Sequence, residues 1–217
     1  MRSFNASTAA DLEPVALVLA ELSRRASECG VEIMVVGATA RDILIRHVVG
    51  SVPERATADI DVAVAVNVFG FREAMAAAVH VTFPGNLVVP VASLPAQSVL
   101  KILAWQDRHH DNRRDAIDLK SIITAYHEGP YLDQLYVDHQ ELVELHEFDP
   151  RLAGAHRIGR EARSLLAREN PGFVTALLDS PEQFDLLAAD MGGLVRENRS
   201  LLLAYSKGFA EPPPETL

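Results

Sequence analysis

A chain of 217 residues, 48% hydrophobic and 23% charged, is long enough to bury a sizeable core, and its net charge of −10 excludes a broad nucleic-acid surface, so any such ligand needs a local basic patch. Its one cysteine, Cys29, excludes an internal disulfide and a cysteine metal cluster, as suits a reducing cytoplasm. No apolar run approaches the roughly 20 residues that span a bilayer, and the start MRSFNASTAADLEP has no positive segment followed by an apolar one, so no membrane contact and no signal peptide are expected.

Residues 11–29 carry Leu12, Val15, Leu19 and Leu22 at helical spacing, and Gly30 follows as a stop. VEIMVVG, residues 31–37, reads as a short buried strand, and ATARDILIRHVVG as a helix with Gly50 beyond its end. Within that helix start, Thr39 and Asp42 have the spacing of a capping box. SVPERAT is a loop, DIDVAVAV a second strand and FREAMAAA a short helix. VHVTF and LVVPVAS flank Pro84-Gly85-Asn86 and predict a hairpin. From Leu94 onward the pattern is helical: 96–108, 111–127, roughly 131–145, 156–168, then weaker segments to about 207, with EPPPETL as a frayed tail. The expected fold class is α+β. A small mixed sheet with helices fills residues 1–95, and a helical C-terminal half fills 96–217.

Charge is unevenly spread. Between Lys120 and Arg151 there is no lysine or arginine, but there are seven acids: Glu128, Asp133, Asp138, Glu141, Glu144, Glu147 and Asp149. Such a run is either a solvated helical surface or a docking face for a basic partner.

The stretch ATADIDVAVAV sets two aspartates at the head of an apolar strand. Side chains two apart on a strand share a face. Asp59 and Asp61 therefore join Ala63 and Ala65 on one face, while Ile60, Val62, Val64 and Val66 form a core face. Two neighbouring carboxylates repel unless a cation lies between them. Hard oxygen ligands of this kind suit Mg²⁺, which takes one or two carboxylates together with phosphate oxygens. The alternative is a strand that simply begins in solvent. Upstream, strand, Gly37 and helix start would offer free backbone N–H groups to an anion such as a triphosphate.

Strand–glycine–helix followed by a strand carrying D-x-D resembles the opening of the polymerase-β-like nucleotidyltransferase fold. VVGATARDILIRHVVGSVPERATADIDVAV is similar to the start of the AbiEii-type nucleotidyltransferases, which include the MenT toxins of toxin–antitoxin pairs. LKILAWQDRHHDNRRDAIDLKSII resembles that family's later lysine, arginine and R-D-x-x-D segment, and FREAMAAAVHV and VASLPAQSVLK its middle strands. The resemblance covers roughly residues 30–165. It implies that Asp59 and Asp61 hold Mg²⁺ and the triphosphate, and that Gly37, Ala38 and Thr39 hold phosphates. Arg41 would support the first turn or touch phosphate, and Lys101 would neutralise phosphate charge. Arg108, Asp115 and Asp118 would complete the far wall, with Lys101 and Asp118 among the catalytic residues. Asp111, Asp115 and Asp118 are spaced as one helical stripe, and Lys101 and Arg108 are seven apart on one face; either set is also compatible with an ordinary wet face.

The implied activity moves nucleotides from an NTP to RNA, with the 3′ end of tRNA as acceptor. The implied partners are NTP, RNA and an antitoxin-like protein. The family's third carboxylate, on a strand beyond D-x-D, has no counterpart: of the 39 residues between Asp61 and Lys101 only Glu73 is acidic, in a predicted helix. A shortened protein of this fold, acting by binding a nucleotide or a partner, is the alternative. The shortening also predicts an exposed sheet edge near Val62–Val66 or the 79–93 hairpin, and hence association with a partner or as a homo-oligomer.

Overall fold

The computed structural model describes residues 2–52, 60–64, 71–166 and 171–213. Among the described residues the sheet has five strands: β1 (Arg2–Asn5), β2 (Ile33–Val35), β3 (Val62–Val64), β4 (Val79–Thr82) and β5 (Val88–Val91). Helices α1 (Glu13–Glu28), α2 (Gly37–Ile43) and α3 (Phe71–Ala76) lie between the strands, and α2 runs on as a wider π-helical segment over Leu44–Val49. The helical half follows: α4 (Leu94–Arg108), α5 (Arg114–Thr124), α6 (Gly129–Asp138), α7 (Gln140–Leu145), α8 (Pro150–Leu165), α9 (Gly172–Asp179), α10 (Pro181–Asp190) and α11 (Val195–Ala210). The α+β class with a small mixed sheet and a helical C-terminal half is the observed architecture.

Strand order is β1-β4-β5-β2-β3. The hairpin is antiparallel, with Val79 opposite Val91 and Val81 opposite Val89. Alternation sets its face: Val79 and Val81 are buried while His80 and Thr82 are half-buried. Gly85 and Asn86 take the left-handed backbone that closes the connection, with φ of 77° and 61°, and the Phe83 N–H donates to the Leu87 carbonyl at 2.7 Å.

The N-terminal segment, for which the sequence analysis predicts no element, pairs parallel to β4 from Arg2 opposite Val79 to Asn5 opposite Thr82. The outer edge of the hairpin is therefore covered within the chain rather than exposed. Among the described residues, β3 is left at the other edge, paired to β2 alone. Residues 65 and 66 of the expected edge lie outside the described residues.

Several boundaries differ from expectation. The strand at DIDVAVAV is described only as Val62–Val64. One helix over 131–145 is instead two, broken at His139 (φ −135°, ψ 35°). Helix α8 starts at Pro150 because Asp149 caps it, its carboxylate accepting the Arg151 N–H at 2.9 Å. The expected capping box fails: the helix begins at Gly37, its N-cap is Val36 with no side-chain cap, and Thr39 is buried inside the first turn. Asp42 is committed to Arg41 instead.

One apolar core runs across residue 95, joining Val35, Val81 and Val91 from the sheet to Ile102, Trp105, Leu119 and Tyr205 from the helices. Trp105 is fully buried and its indole N–H donates to Asp190 at 3.0 Å, so the largest side chain carries no unpaired polar atom into the interior. Helices α8 and α11 press backbone to backbone at Gly159 and Gly208. A Cβ at Gly208 would lie 2.9 Å from the Arg160 nitrogen, and one at Gly159 would lie 3.0 Å from the Tyr205 carbonyl carbon. Small residues there let the helices meet without intervening side chains, and Tyr126, Tyr131 and Arg157 stack outside the contact.

Candidate active site

The site is built where β2 turns into α2. Val36 ends the strand run, and Gly37 at φ +66° makes a left-handed step that other residues take only at a cost. The Val36 N–H donates to the Asp61 carbonyl at 3.0 Å, extending the β2–β3 pairing by one residue. This sets the Asp61 side chain against Gly37: a Cβ at Gly37 would lie 2.9 Å from both Cβ and Cγ of Asp61. Gly37 is thus required twice, by its dihedral and by the carboxylate that occupies the space of its missing side chain. Asp61 is exposed, while Ile60 and Val62 pack on the core, so the expected division of the strand into two faces holds over these three residues. Asp59 lies outside the described residues.

Behind Gly37, helices α4 and α5 contribute a ladder of alternating charge. Arg41, with its side chain 3% exposed, donates through Nε and Nη2 to Asp42 at 2.8 and 2.6 Å, and through Nη1 to Asp118. Lys101 Nζ donates to Asp118 at 2.7 Å and to Asp115 at 2.9 Å. Arg108 closes the ladder with Nε and Nη2 on Asp115 at 2.6 and 3.0 Å. The sequence spacing explains the pairing. Lys101 and Arg108, two turns apart on α4, face Asp115 and Asp118, one turn apart on α5, so each rung meets a charge of opposite sign.

Among the cations burial falls along the ladder, from the Arg41 side chain at 3% exposed through Lys101 at 12% to Arg108 at 55%, while Asp115 between the last two stays buried. Burial pushes the Asp115 carboxyl up, but hydrogen bonds from Arg108 and Lys101 prevail and hold it below its ordinary range. The same bond raises the Arg108 guanidinium further above its usual value. Three cations (Arg41, Lys101, Arg108) balance three carboxylates (Asp42, Asp115, Asp118), so the ladder is close to neutral as it stands.

Gly37, Lys101, Arg108 and Asp115 line one cleft of about 170 Å³, together with Val36 and Gln97. The residues singled out from sequence therefore fall into three groups. Gly37, Lys101 and Arg108 line the cleft, and Asp61 sits against Gly37 without lining it. Asp115 and Asp118 serve as buried partners that fix the cations. Thr39 and Arg41 are buried on α2, with Ala38 on its first turn. Asp111 does not extend the stripe: it sits exposed in the α4–α5 turn, ahead of α5.

Gln97 was not anticipated. It is buried at 1% exposure on the cleft wall, with Nε2 donating to the Ala92 carbonyl at 2.7 Å. A polar residue four positions before Lys101, on the same helix face, was the available signal.

Among the described residues, no three metal-ligating side chains converge. Asp61 nevertheless offers exposed carboxylate oxygens beside Gly37, which fits an ion that takes one or two carboxylates and completes its shell with phosphate and water. Asp115 and Asp118 do not fit, because cations already occupy their oxygens. No protein-family model, no curated protein and no solved structure matches this chain.

Among the described residues, no helix is long and apolar enough to cross a membrane.

Proposed function

We propose that the protein is a nucleotidyltransferase-like toxin of a toxin–antitoxin pair, moving a nucleotide from an NTP to RNA, with the 3′ end of tRNA as acceptor. The observation that carries this reading is the seating of the Asp61 carboxylate on Gly37 at a cleft walled by Lys101 and Arg108. A carboxylate beside a glycine turn on one side and fixed cations on the other is an arrangement that a metal–triphosphate fits. The resemblance in motif order supports the same class. The cytoplasm, where NTP and tRNA coexist, is the compartment this activity requires.

In the reaction, the ribose 3′-hydroxyl oxygen bonds to the α-phosphorus as its proton passes to solvent, the bond from that phosphorus to the oxygen bridging to the β-phosphate breaks, and pyrophosphate leaves with that electron pair. Mg²⁺, held by Asp61 with Asp59, would supply charge neutralisation to the triphosphate. The chain's own work is positioning. Asp115 and Asp118 fix Lys101 on two sides, so its ammonium is pre-placed on the cleft wall rather than ordered when the nucleotide arrives. Arg108 is more exposed and holds Asp115 through a bidentate pair, so it can exchange part of that pairing for a phosphate. Arg41 is not among the described residues that line the cleft; it anchors α2 to Asp118 and so keeps Gly37 in register with the ladder.

A second reading, a shortened protein that binds nucleotide or an antitoxin-like partner without transfer, is favoured by the lone acid Glu73 between Asp61 and Lys101. The two are separated by incubating the purified protein with each labelled NTP, Mg²⁺ and total tRNA. The transferase reading expects label on tRNA that disappears in Asp61→Asn, with a thermal melt little changed because Asp61 is exposed. NTP binding without label transfer would leave the second reading. Transfer that survives Asp61→Asn would remove Asp61 from the chemistry.

A further inference from the structure

Gln97 stands in the wall of the cleft at Gly37 with half of its amide unused. Its Nε2 donates to the Ala92 carbonyl at 2.7 Å, while Oε1 is buried and has no hydrogen-bond partner among the described residues. The residue is 1% exposed, yet it lines the cleft together with Gly37 and Lys101. Buried polar atoms are nearly always paired, and an orphaned acceptor costs more than a made bond gains. With Nε2 turned back to the residue that follows β5, the oxygen is the arm of the amide left for a ligand. Such an atom in a cleft wall calls for a ligand that brings the missing donor.

The placement follows from α4 and from the strand ends. The Ala92 N–H donates to the Val35 carbonyl at 2.9 Å, continuing the parallel pairing of β2 with β5 and setting the start of α4 beside Val36 and Gly37. Gln97, Lys101, Ala104 and Arg108 all line the cleft, and at about 3.6 residues per turn they form one narrow stripe along α4. Exposure rises outward along that stripe, from buried Gln97 through half-buried Lys101 to exposed Arg108. Gln97 is therefore at the closed end of the cleft, and the cations lie toward its mouth.

The chemistry of an amide oxygen narrows the choice of group. It only accepts, so a phosphate oxygen against it would be repelled, and phosphate belongs with Lys101 and Arg108. The donor must come from a neutral part of the nucleotide, either a sugar hydroxyl or a base N–H. Spacing decides between them. Gln97 and Lys101 are one turn apart, about 6 Å along the helix. Sugar hydroxyls stand one ring away from the 5′-phosphates, whereas the donor edge of a base stands a further ring out. The cleft, at about 170 Å³, is also smaller than the roughly 300–1,000 Å³ that encloses a whole small molecule. It suits a sugar and its phosphates, with the base outside.

Resting on the nucleotidyltransferase reading, we propose that Gln97 is the specificity-determining residue of this cleft. Its Oε1 accepts a hydrogen bond from a ribose hydroxyl of the bound NTP, so the site reads the sugar rather than the base.

Calorimetric titration of the full chain with ATP, GTP, CTP and UTP in Mg²⁺ finds the tightest binder, which is then compared with its 2′-deoxy and 3′-deoxy forms. One of the two deoxy forms should bind about tenfold more weakly than the parent, as expected when a buried acceptor loses its donor. Gln97→Met and Gln97→Leu each remove the acceptor while keeping bulk, and in either variant that ratio should shrink to near one. Because parent and deoxy forms are compared on the same variant, any instability from the freed Ala92 carbonyl does not imitate the result. Equal binding of the parent and both deoxy forms to the wild type overturns the assignment, and so does a ratio that survives in both variants. A variant that loses choice among the four bases but keeps the sugar ratio also overturns it, since the oxygen would then read a base. In those three cases NTP still binds and the proposed function stands. No heat with any of the four NTPs removes the proposed function and this inference together.

Discussion

Replacing Asp115 by Asn removes the central negative charge of the ladder while keeping the side chain's shape. Asp115 is 1% exposed and accepts one hydrogen bond from Lys101 and two from Arg108. The Arg108 side chain is 55% exposed, so its pairing is screened and counts for about 1 kcal/mol or less. Lys101 is 12% exposed, and a buried hydrogen bond to a charged group is worth about 1.5–3 kcal/mol. Asparagine also turns an NH₂ toward two donors, so about 3 kcal/mol of stability should be lost at pH 7. For a chain of this length that is a fall of roughly 6–12 °C in melting temperature. Urea unfolding followed by circular dichroism measures it.

The pH dependence supplies a second check. The folded carboxyl of Asp115 is held below its ordinary value, so its contribution is complete above the unfolded carboxylate pKa of about 3.9 and is lost as pH falls through the lower, folded value. The stability gap between wild type and Asp115→Asn should stay constant from pH 7 to about pH 5 and narrow only below about pH 4. A variant as stable as wild type at pH 7, or a gap that closes between pH 5 and 7, would refute the view that the ladder is held through Asp115.

Gly37→Ala should cost about 1–2 kcal/mol from the positive φ alone and should also push Asp61 off its seat, so nucleotide binding falls further than stability does; titration with NTP against a thermal melt shows the split. Gly208→Val should destabilise by about 3 kcal/mol or more, because the added carbons meet the backbone of α8 rather than a movable side chain; a denaturant midpoint measures this. Deleting residues 1–6 uncovers the edge of β4, and association rising with concentration is expected in sedimentation. A variant that stays monomeric at all concentrations would show that the edge is blunted by other means.

What the sequence determined by itself is the local order of the chain. The 3.6-residue pattern gave most of the helices, Pro84-Gly85-Asn86 gave the hairpin, and alternation around Asp61 gave the polar and core faces of β3, because each of these signals lies within a few residues of the structure it specifies. The contact of Gly37 with Asp61 was not specified locally, since α2 separates the two; only the order of the motifs and the resemblance they carry suggested it. Tertiary structure decided what depends on distant partners. MRSFN becomes a strand only because β4 offers it a free edge, and a short polar segment carries too little apolar pattern to announce that. Thr39 and Asp42 have capping spacing, yet the backbone turns at Gly37 instead, where Asp61 and the core fix the helix start. Asp115 and Asp118 look from spacing like a stripe that any ligand could use; only the packing of α4 against α5 commits their oxygens to Lys101, Arg108 and Arg41. A second cleft, behind α5, is the extreme case, since Lys120 and His127 lie far from Arg196 in the chain and line one space with it only because the end of α5 meets the starts of α8 and α11.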